Sequence, residues 1–249
     1  MDLSAYLARI GFPGSADPNP ETLCALHLAH LHTVPFENLD IFLGNEIVCD
    51  EDRFLQKIIY LRRGGFCYEL NAAFAMLLRG LGFSVTLLSA RVSREDGSAS
   101  PEFDHLALRV DLQEPWLADV GFGDSFLEPL RLKPDVEQEQ SAGRFRIVQV
   151  GDVMIVQRAR PDEFWKSLYQ FTLMPRQLCD FAPRCQFQQT SPESHFTRQR
   201  ICTMPTHDGR ITLSDLKLIR TIGANREERM LQSEDEWRSA LAELFGVRL

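Results

Sequence analysis

The reading turns on "RRGGFCYELN", residues 62–71. Two arginines and two glycines lead into Cys67, and the text beyond it is helical. "CYELNAAFAMLLRGLG" (67–82) sets Leu70, Ala73, Phe74, Leu77 and Leu81 at helical intervals, an apolar stripe along one face. Gly64 and Gly65 permit a tight entry turn. Cys67 therefore stands at a helix N-terminus, where free N–H groups and the dipole favour a thiolate. It also lies on the inward-facing stripe. Two readings fit this segment alone: a nucleophile at the floor of a cleft, or a small hydrophobe filling a core.

Outward from this stretch, residues 1–82 read as helices. Asp2 caps "LSAYLARIG", Glu21 opens "ETLCALHLAHLHT" and Asp50 caps "EDRFLQKIIYLRR". The text then changes to strands. "HLALRVDL" (105–112) alternates strictly, with Leu106, Leu108, Val110 and Leu112 on one face and His105, Ala107, Arg109 and Asp111 on the other. "FSVTLLSARV" (83–92), "WLADV" (116–120), "RFRIVQV" (144–150), "VMIVQRAR" (153–160) and "FWKSLYQFTL" (164–173) continue the series, with a hairpin turn at Gly151-Asp152. The remainder mixes a short helix in "MPRQLCDFAP", short strands in "RQRICTMP", "GRITLSD" and "LKLIRTIG", and a final helix capped by Ser233. The order predicts an α+β chain in three parts: 1–82 helical, 83–173 a β-meander, 174–249 a smaller α+β portion.

The totals exclude several classes. The 249 residues are 44% hydrophobic and 25% charged, ordinary for a soluble globular protein. With 27 Lys and Arg against 35 Asp and Glu, the net charge of −8 does not suggest a nucleic-acid surface. The N-terminal text has neither the basic leader nor the apolar run of a signal peptide, and no stretch is long and apolar enough to span a membrane. A cytoplasmic location is expected, with six free cysteines. Cys179, Cys185, His195, Cys202 and His207 match no common zinc spacing, and His27, His30 and His32 read as structural. No metal is expected.

A thiol nucleophile needs a base that becomes its cationic partner, and the base needs an orienting carboxylate. His105 begins the alternating strand, opposite the leucine face. Asp119 lies in the apolar "WLADVGFG", where a buried carboxylate must be paired or hydrogen-bonded. Taken singly, His105 reads as a surface histidine at a strand edge and Asp119 as a turn residue. Taken together, Cys67, His105 and Asp119 follow the Cys-His-Asp order of papain-like thiol enzymes.

Four segments sharpen this. "VPFENLD" (34–40), "RRGGFCYELN" (62–71), "HLALRV" (105–110) and "DVGFG" (119–123) resemble signature segments of the arylamine N-acetyltransferases. "TSPESHFTRQRICT" (190–203) resembles the family's entry to its third domain. The resemblance implies a helical bundle (1–82), a β-barrel (83–173) and an α/β lid (174–249) around a catalytic core like that of transglutaminases and papain-like enzymes. It carries the family triad onto Cys67, His105 and Asp119. It implies acetyl-CoA as a co-substrate, no permanently bound cofactor, and arylamines, hydrazines and N-hydroxyarylamines as acceptors in xenobiotic metabolism.

The resemblance also pairs Glu37 with Arg62 to hold the loop before Cys67. It assigns Gly121, Phe122 and Gly123 to the acyl and CoA pocket. Phe36, Phe66 and Phe122 are candidates for the aromatic wall of the amine pocket. The chemistry implied is ping-pong: the Cys67 thiolate takes the acetyl group from the thioester, then a neutral amine attacks the acetyl-cysteine while His105 accepts a proton. Many family members continue for another helix or so beyond "LFGVRL", which leaves CoA affinity and acyl selectivity open. Other readings of the same triad are an amide synthase with a carrier-bound acyl donor, a thiol hydrolase or transglutaminase-like enzyme, and a non-catalytic binding protein.

Overall fold

The computed structural model describes residues 2–14, 17–160, 163–223 and 225–249. Its architecture is α+β, as the order of periodicities predicts. The chain opens with α1 (Leu3–Arg9), α2 (Pro20–Leu31), β1 (Phe36–Glu37), α3 (Leu39–Leu43), α4 (Glu51–Leu55) and α5 (Cys67–Gly80). Asp2 and Asp50 cap α1 and α4 by accepting from the N–H groups of Ala5 and Arg53. The start of α2 differs from the reading at Glu21. Asn19 accepts from the Thr22 N–H at 2.8 Å and Pro20 takes the first helical position, where its missing N–H costs nothing. Beyond α4 a π-helical turn covers Gln56–Tyr60.

The helix α5 is the axis of the first part. Its apolar stripe understates its burial: every residue from Cys67 to Leu78 except Met76 is buried. Helices and sheet cover it on several sides, so the polar side chains of Glu69 and Asn71 are buried too and must find partners. Leu70, Phe74 and Leu77 have no exposed surface. Truncating any one to Ala would cost about 2–5 kcal/mol.

Eight antiparallel strands follow: β2 (Ser84–Val92), β3 (His105–Asp111), β4 (Pro115–Ala118), β5 (Leu130–Arg131), β6 (Gln138–Gln140), β7 (Gly143–Val150), β8 (Val153–Ala159) and β9 (Lys166–Arg176). Their order is β5-β4-β3-β2-β9-β8-β7-β6. The sheet curls into a nearly closed barrel. Side chains span its seam: Gln138 accepts from the Arg131 N–H at 2.8 Å, and Gln140 accepts from the N–H groups of Leu127 and Glu128 at 3.0 Å. The alternation of β3 separates two cores rather than core and solvent. Leu106, Leu108 and Val110 pack with α5, whereas Ala107 packs inside the barrel with Leu88, Leu117 and Phe126.

The last part holds α6 (Ala182–Thr190), β10 (Ile201–Thr206), β11 (Gly209–Ser214), β12 (Lys217–Ile222), β13 (Asn225–Met230) and α7 (Glu234–Phe245). "MPR" of the expected short helix instead ends β9, and a 3-10 turn at Leu178–Phe181 leads into α6. Ser233 caps α7 as expected, and Trp237, Leu241 and Phe245 pack on Ile211, Leu213 and Leu218. The first 82 residues are not purely helical. β1 joins this sheet through the pairs Phe36–Thr203 and Glu37–Cys202. The Glu37 N–H also bonds the Gly65 carbonyl at 2.9 Å, so the stretch before Cys67 is tied through β1 to the C-terminal sheet.

Candidate active site

Cys67 is the first residue of α5 and is buried. Its Sγ lies 4.0 Å from the carbonyl oxygen of Asp104, against the backbone that opens β3. The next residue, His105, is 3% exposed and its Nε2 is 2.7 Å from Oδ2 of Asp119. Asp119 directly follows β4. The structure thus gathers the three sequence-predicted residues at the junction of α5, β3 and β4.

Burial by itself would push the Asp119 carboxyl up. His105, the Asn71 amide and the Gly121 N–H more than offset this and hold it below its ordinary value. An ionised Asp119 accepts the Nε2–H of His105 and leaves the Nδ1 lone pair as the basic one.

Two further residues fix this arrangement. Asn71 donates from Nδ2 to Oδ1 of Asp119 (2.9 Å) and to the Leu106 carbonyl (2.6 Å), and its Oδ1 accepts from the Val120 N–H (2.9 Å). One side chain on α5 therefore holds both the His105 strand and the Asp119 turn. His27, on α2, accepts the Asp119 N–H through Nε2 at 3.1 Å and donates from Nδ1 to the Leu127 carbonyl at 2.8 Å. Burial lowers its pKa to about 4, so it serves as a neutral spacer. The signal for Asn71 was present in the sequence, as an amide within the otherwise apolar "NAAFAML". His27 is visible as a histidine within α2, but nothing in the sequence pairs it with a residue 92 positions away.

The thiol itself departs from the sequence expectation. Burial pushes Cys67 well up, and the Asp104 and Asp119 carboxylates act in the same direction against the N–H groups of Leu106 and Tyr68. In a site closed to water, the helix terminus does not suffice to keep a lone thiolate.

The loop 121–126 closes one side. Phe122 meets the His105 ring edge-on, with centroids 5.2 Å apart, and Tyr169 stands 5.1 Å from both rings. Gly121 makes a close approach to the helix. A Cβ there would lie 2.8 Å from Cα of Cys67 and 2.7 Å from Nδ2 of Asn71. Gly123 adopts φ +92 beside Phe36, in the left-handed region that glycine tolerates. Phe36 and Phe122 are partly buried, whereas Phe66 is fully buried against Tyr68 and Phe196 and belongs to the core.

One expected pair is corrected. Glu37 binds Arg63, not Arg62. Its Oε1 lies 3.0 Å from Nε and 2.8 Å from Nη2 of Arg63. Arg62 is exposed and adopts φ 51, and this left-handed step delivers the following residue to Glu37. Lys57 and Asp40 extend the pair into a buried cluster. Lys57 Nζ is 2.6 Å from Asp40 and 2.8 Å from Glu69, the residue whose other oxygen caps the Phe66 N–H at 3.0 Å. Burial raises Glu69 to about 7 in spite of Lys57, because Glu37 also crowds it. Lys57 is raised as well: burial alone would lower it, but the three carboxylates of Glu37, Glu69 and Asp40 more than offset that. A Cβ on Gly64 would overlap the Pro35 carbonyl, so the glycine lets the loop before Cys67 lie flat on the "PFEN" segment.

Comparison with known proteins places this chain among acyltransferases. A family model described as N-acetyltransferase matches residues 19–249. The chain is 36% identical to an arylamine N-acetyltransferase of Escherichia coli K12, over 98% of this chain and 88% of that one. Among solved structures, the Salmonella typhimurium arylamine N-acetyltransferase superposes with a TM-score of 0.92 at 35% identity, covering 98% of this chain and 90% of that one. The Mycobacterium marinum enzyme in complex with CoA superposes with a TM-score of 0.91 at 30% identity, covering 99% and 93%. The chain belongs to the arylamine N-acetyltransferase family.

Proposed function

We propose that the protein transfers an acetyl group from acetyl-CoA to the nitrogen of arylamines and arylhydrazines, and to N-hydroxyarylamines, through an acetyl-Cys67 intermediate. The observation that carries this reading is the linked set of Cys67 at the helix terminus, the adjacent β3 backbone, and the 2.7 Å His105–Asp119 pair. The CoA bound to the Mycobacterium marinum relative supports the choice of donor.

In the first half-reaction Nδ1 of His105 takes the thiol proton and Cys67 attacks the thioester carbonyl. CoA leaves as a thiol after reprotonation by the imidazolium. One thioester is exchanged for another, so the step is near balance. In the second half-reaction a neutral amine attacks the acetyl-cysteine, His105 accepts its proton, and the Cys67 thiol is regenerated. Arylamines and hydrazines suit this site because they are largely unprotonated near neutrality, whereas alkyl amines are not. Phe36 and Phe122 supply an aromatic wall for such acceptors. Asp119 holds Nε2–H throughout and stabilises the imidazolium.

The test is mass spectrometry of the intact protein after incubation with acetyl-CoA, followed by a panel of arylamines and hydrazines. One acetyl group should appear on the wild type, vanish on addition of an amine, and be absent from Cys67→Ser. Acylation by peptides or amides with none from acetyl-CoA would instead favour a hydrolase or transglutaminase-like activity.

A further inference from the structure

The proposed reaction gives no task to Asp104, which stands directly before His105. Its carbonyl oxygen is 4.0 Å from Sγ of Cys67 and 3.3 Å from the Tyr68 hydroxyl. Its carboxylate works against a thiolate on Cys67, as that of Asp119 does. Asp119 has His105 as its partner, and Asp104 finds its own on α6. Arg184 Nε is 2.6 Å from Oδ1 of Asp104, and the Gln188 amide donates to the same oxygen. Arg184 and Gln188 are four residues apart and share one face of the helix. The Ser194 hydroxyl donates to Oε1 of Gln188 at 2.6 Å, which fixes the amide so that its N–H end meets Asp104. The Arg184 guanidinium lies 4.0 Å over the Phe187 ring, one turn along α6. Gln188 and Ser194 are buried, and the Arg184 and Asp104 side chains are mostly withdrawn from water. Solvent therefore screens the pair little.

The backbone here is strained as well. Phe103 adopts φ 64, a left-handed conformation that bulky residues avoid. Such a step persists where its surroundings over-determine it. The Ser89 hydroxyl accepts the Phe103 N–H at 2.8 Å, the Tyr68 hydroxyl donates to the Phe103 carbonyl at 2.7 Å, and Phe181 packs edge-on against its ring. Arg184 and Gln188 then grip the next residue. The turn that aims Asp104 and His105 is thus held from α6 as well as from α5 and β2.

We propose that Arg184, with Gln188 beside it, is a positioning residue for the Cys67 thiol: it draws the Asp104 carboxylate toward α6 and balances its charge, so that the carbonyl is the part of Asp104 that meets the sulfur. This rests on the reading of Cys67 as the acyl carrier. The other titratable and charged groups around the thiol are His105 on β3, Asp119 after β4, Tyr68 on α5 and Cys185 on α6. His195 and Arg198 stand on the Asp104 side, beyond α6. Arg184 is the cation of this set that contacts Asp104 directly.

The experiment is alkylation of Cys67 by iodoacetamide as a function of pH, read on the Cys67 peptide by mass spectrometry, with the thermal midpoint of each variant recorded. Arg184→Met leaves the Asp104 charge unbalanced. The pH midpoint of alkylation should rise by about one unit, and the rate at pH 7 should fall about tenfold. Adding Asp104→Asn to Arg184→Met should return the pH midpoint to that of the wild type. Asp104→Asn alone leaves Arg184 as an excess positive charge and should lower it. Arg184→Lys keeps the charge and should keep the wild-type profile. A purely mechanical latch would lose thermal stability in each variant, with no restoration of reactivity in the double variant.

An unchanged pH midpoint in a folded Arg184→Met, or one that stays raised in the double variant, overturns the proposal. So does an unchanged or higher midpoint in Asp104→Asn, which reads the same charge should Arg184→Met fail to fold. Alkylation needs no acetyl-CoA. A wild type and variants with the expected profiles, but with no acetyl group taken from acetyl-CoA, would be failure of the acetyl-CoA reading and would leave the role of Arg184 standing.

Discussion

Two buried polar clusters flank the first turn of α5, and they are built differently. On the Cys67 side, one carboxylate, Asp119, is surrounded by neutral or weakly basic donors: His105, Asn71, and the N–H of Gly121. On the other side, three carboxylates (Glu37, Asp40, Glu69) share two cations, Lys57 and Arg63. In the first cluster Asp119 keeps the hydrogen bonds of the Asn71 amide and the Gly121 N–H whatever happens at His105. In the second every ion is held by another, and Glu69, at about 7, shows where burial and the neighbouring Glu37 outweigh Lys57. The proposed mechanism assigns proton transfer to the first cluster. The second fixes the loop and cap that present Cys67.

The sharpest way to break this contrast is to remove one charged partner on each side. Asp119→Asn keeps the shape but no longer fixes a hydrogen on Nε2 of His105, so Nδ1 ceases to be the reliable base. Acetyl transfer should fall about 10³–10⁴-fold, by analogy with other Cys/Ser–His–Asp centres, with the fold retained by circular dichroism. Across the helix, Arg63→Met strands Glu37 and Asp40 with Lys57 alone. Loss of one partner from a buried ion cluster costs about 3–5 kcal/mol. That loss should appear in the denaturant midpoint, while kcat per folded molecule changes only a few-fold. A large fall in kcat for Arg63→Met at full folding would put the second cluster into the chemistry and erase the distinction.

The sequence made the two clusters unequally legible. Cys67, His105 and Asp119 are legible only as a set, each at the start or end of an element that periodicity reveals, and within segments that resemble one family. Asn71 and Glu69 stood in plain view in "CYELN", yet an amphipathic stripe suggests that polar helix residues face water. Only tertiary covering of α5 from several sides buries them. The Arg62–Arg63 choice was beyond the text altogether, since two adjacent arginines differ only in backbone direction and φ 51 at Arg62 is a consequence of the fold. The strands β5, β6 and β13 were missed for a similar reason. Two are two or three residues long, and "NREERM" is exposed along its whole length, so no alternation marks it.

A smaller effect separates the two sides by pH. His27, beside Asp119, has its pKa lowered to about 4 by burial from an ordinary 6.5. The unfolded chain therefore binds more protons than the folded one between these values. This contribution to stability is complete above about 6.5 and is lost as pH falls toward 4, by at most about 3 kcal/mol. Glu69 has the opposite sign. Its folded pKa of about 7 lies above the ordinary 4.5, so its contribution is greatest below 4.5 and is lost as pH rises through 7. His27→Gln should flatten the acid limb of a stability profile between pH 6.5 and 4. Glu69→Gln, which keeps an oxygen to cap the Phe66 N–H, should flatten the decline between 4.5 and 7. If both variants flatten the same limb, the assignment of opposite electrostatics to the two sides is wrong.

The smallest expected effect tests the pairing of Glu37 most economically. A left-handed backbone costs an ordinary L-residue about 1–2 kcal/mol, and asparagine adopts it more readily. Arg62 is exposed, and its carbonyl, not its side chain, meets the Arg9 guanidinium at 3.4 Å. Arg62→Asn preserves that carbonyl and relieves part of the strain, so the denaturant midpoint should stay level or rise by up to about 1 kcal/mol. Were Arg62 the partner of Glu37, the same substitution would leave a buried carboxylate short of a cation and cost several kcal/mol. The two outcomes differ in sign, so one chemical melt of a surface variant decides which arginine anchors the loop that carries Cys67.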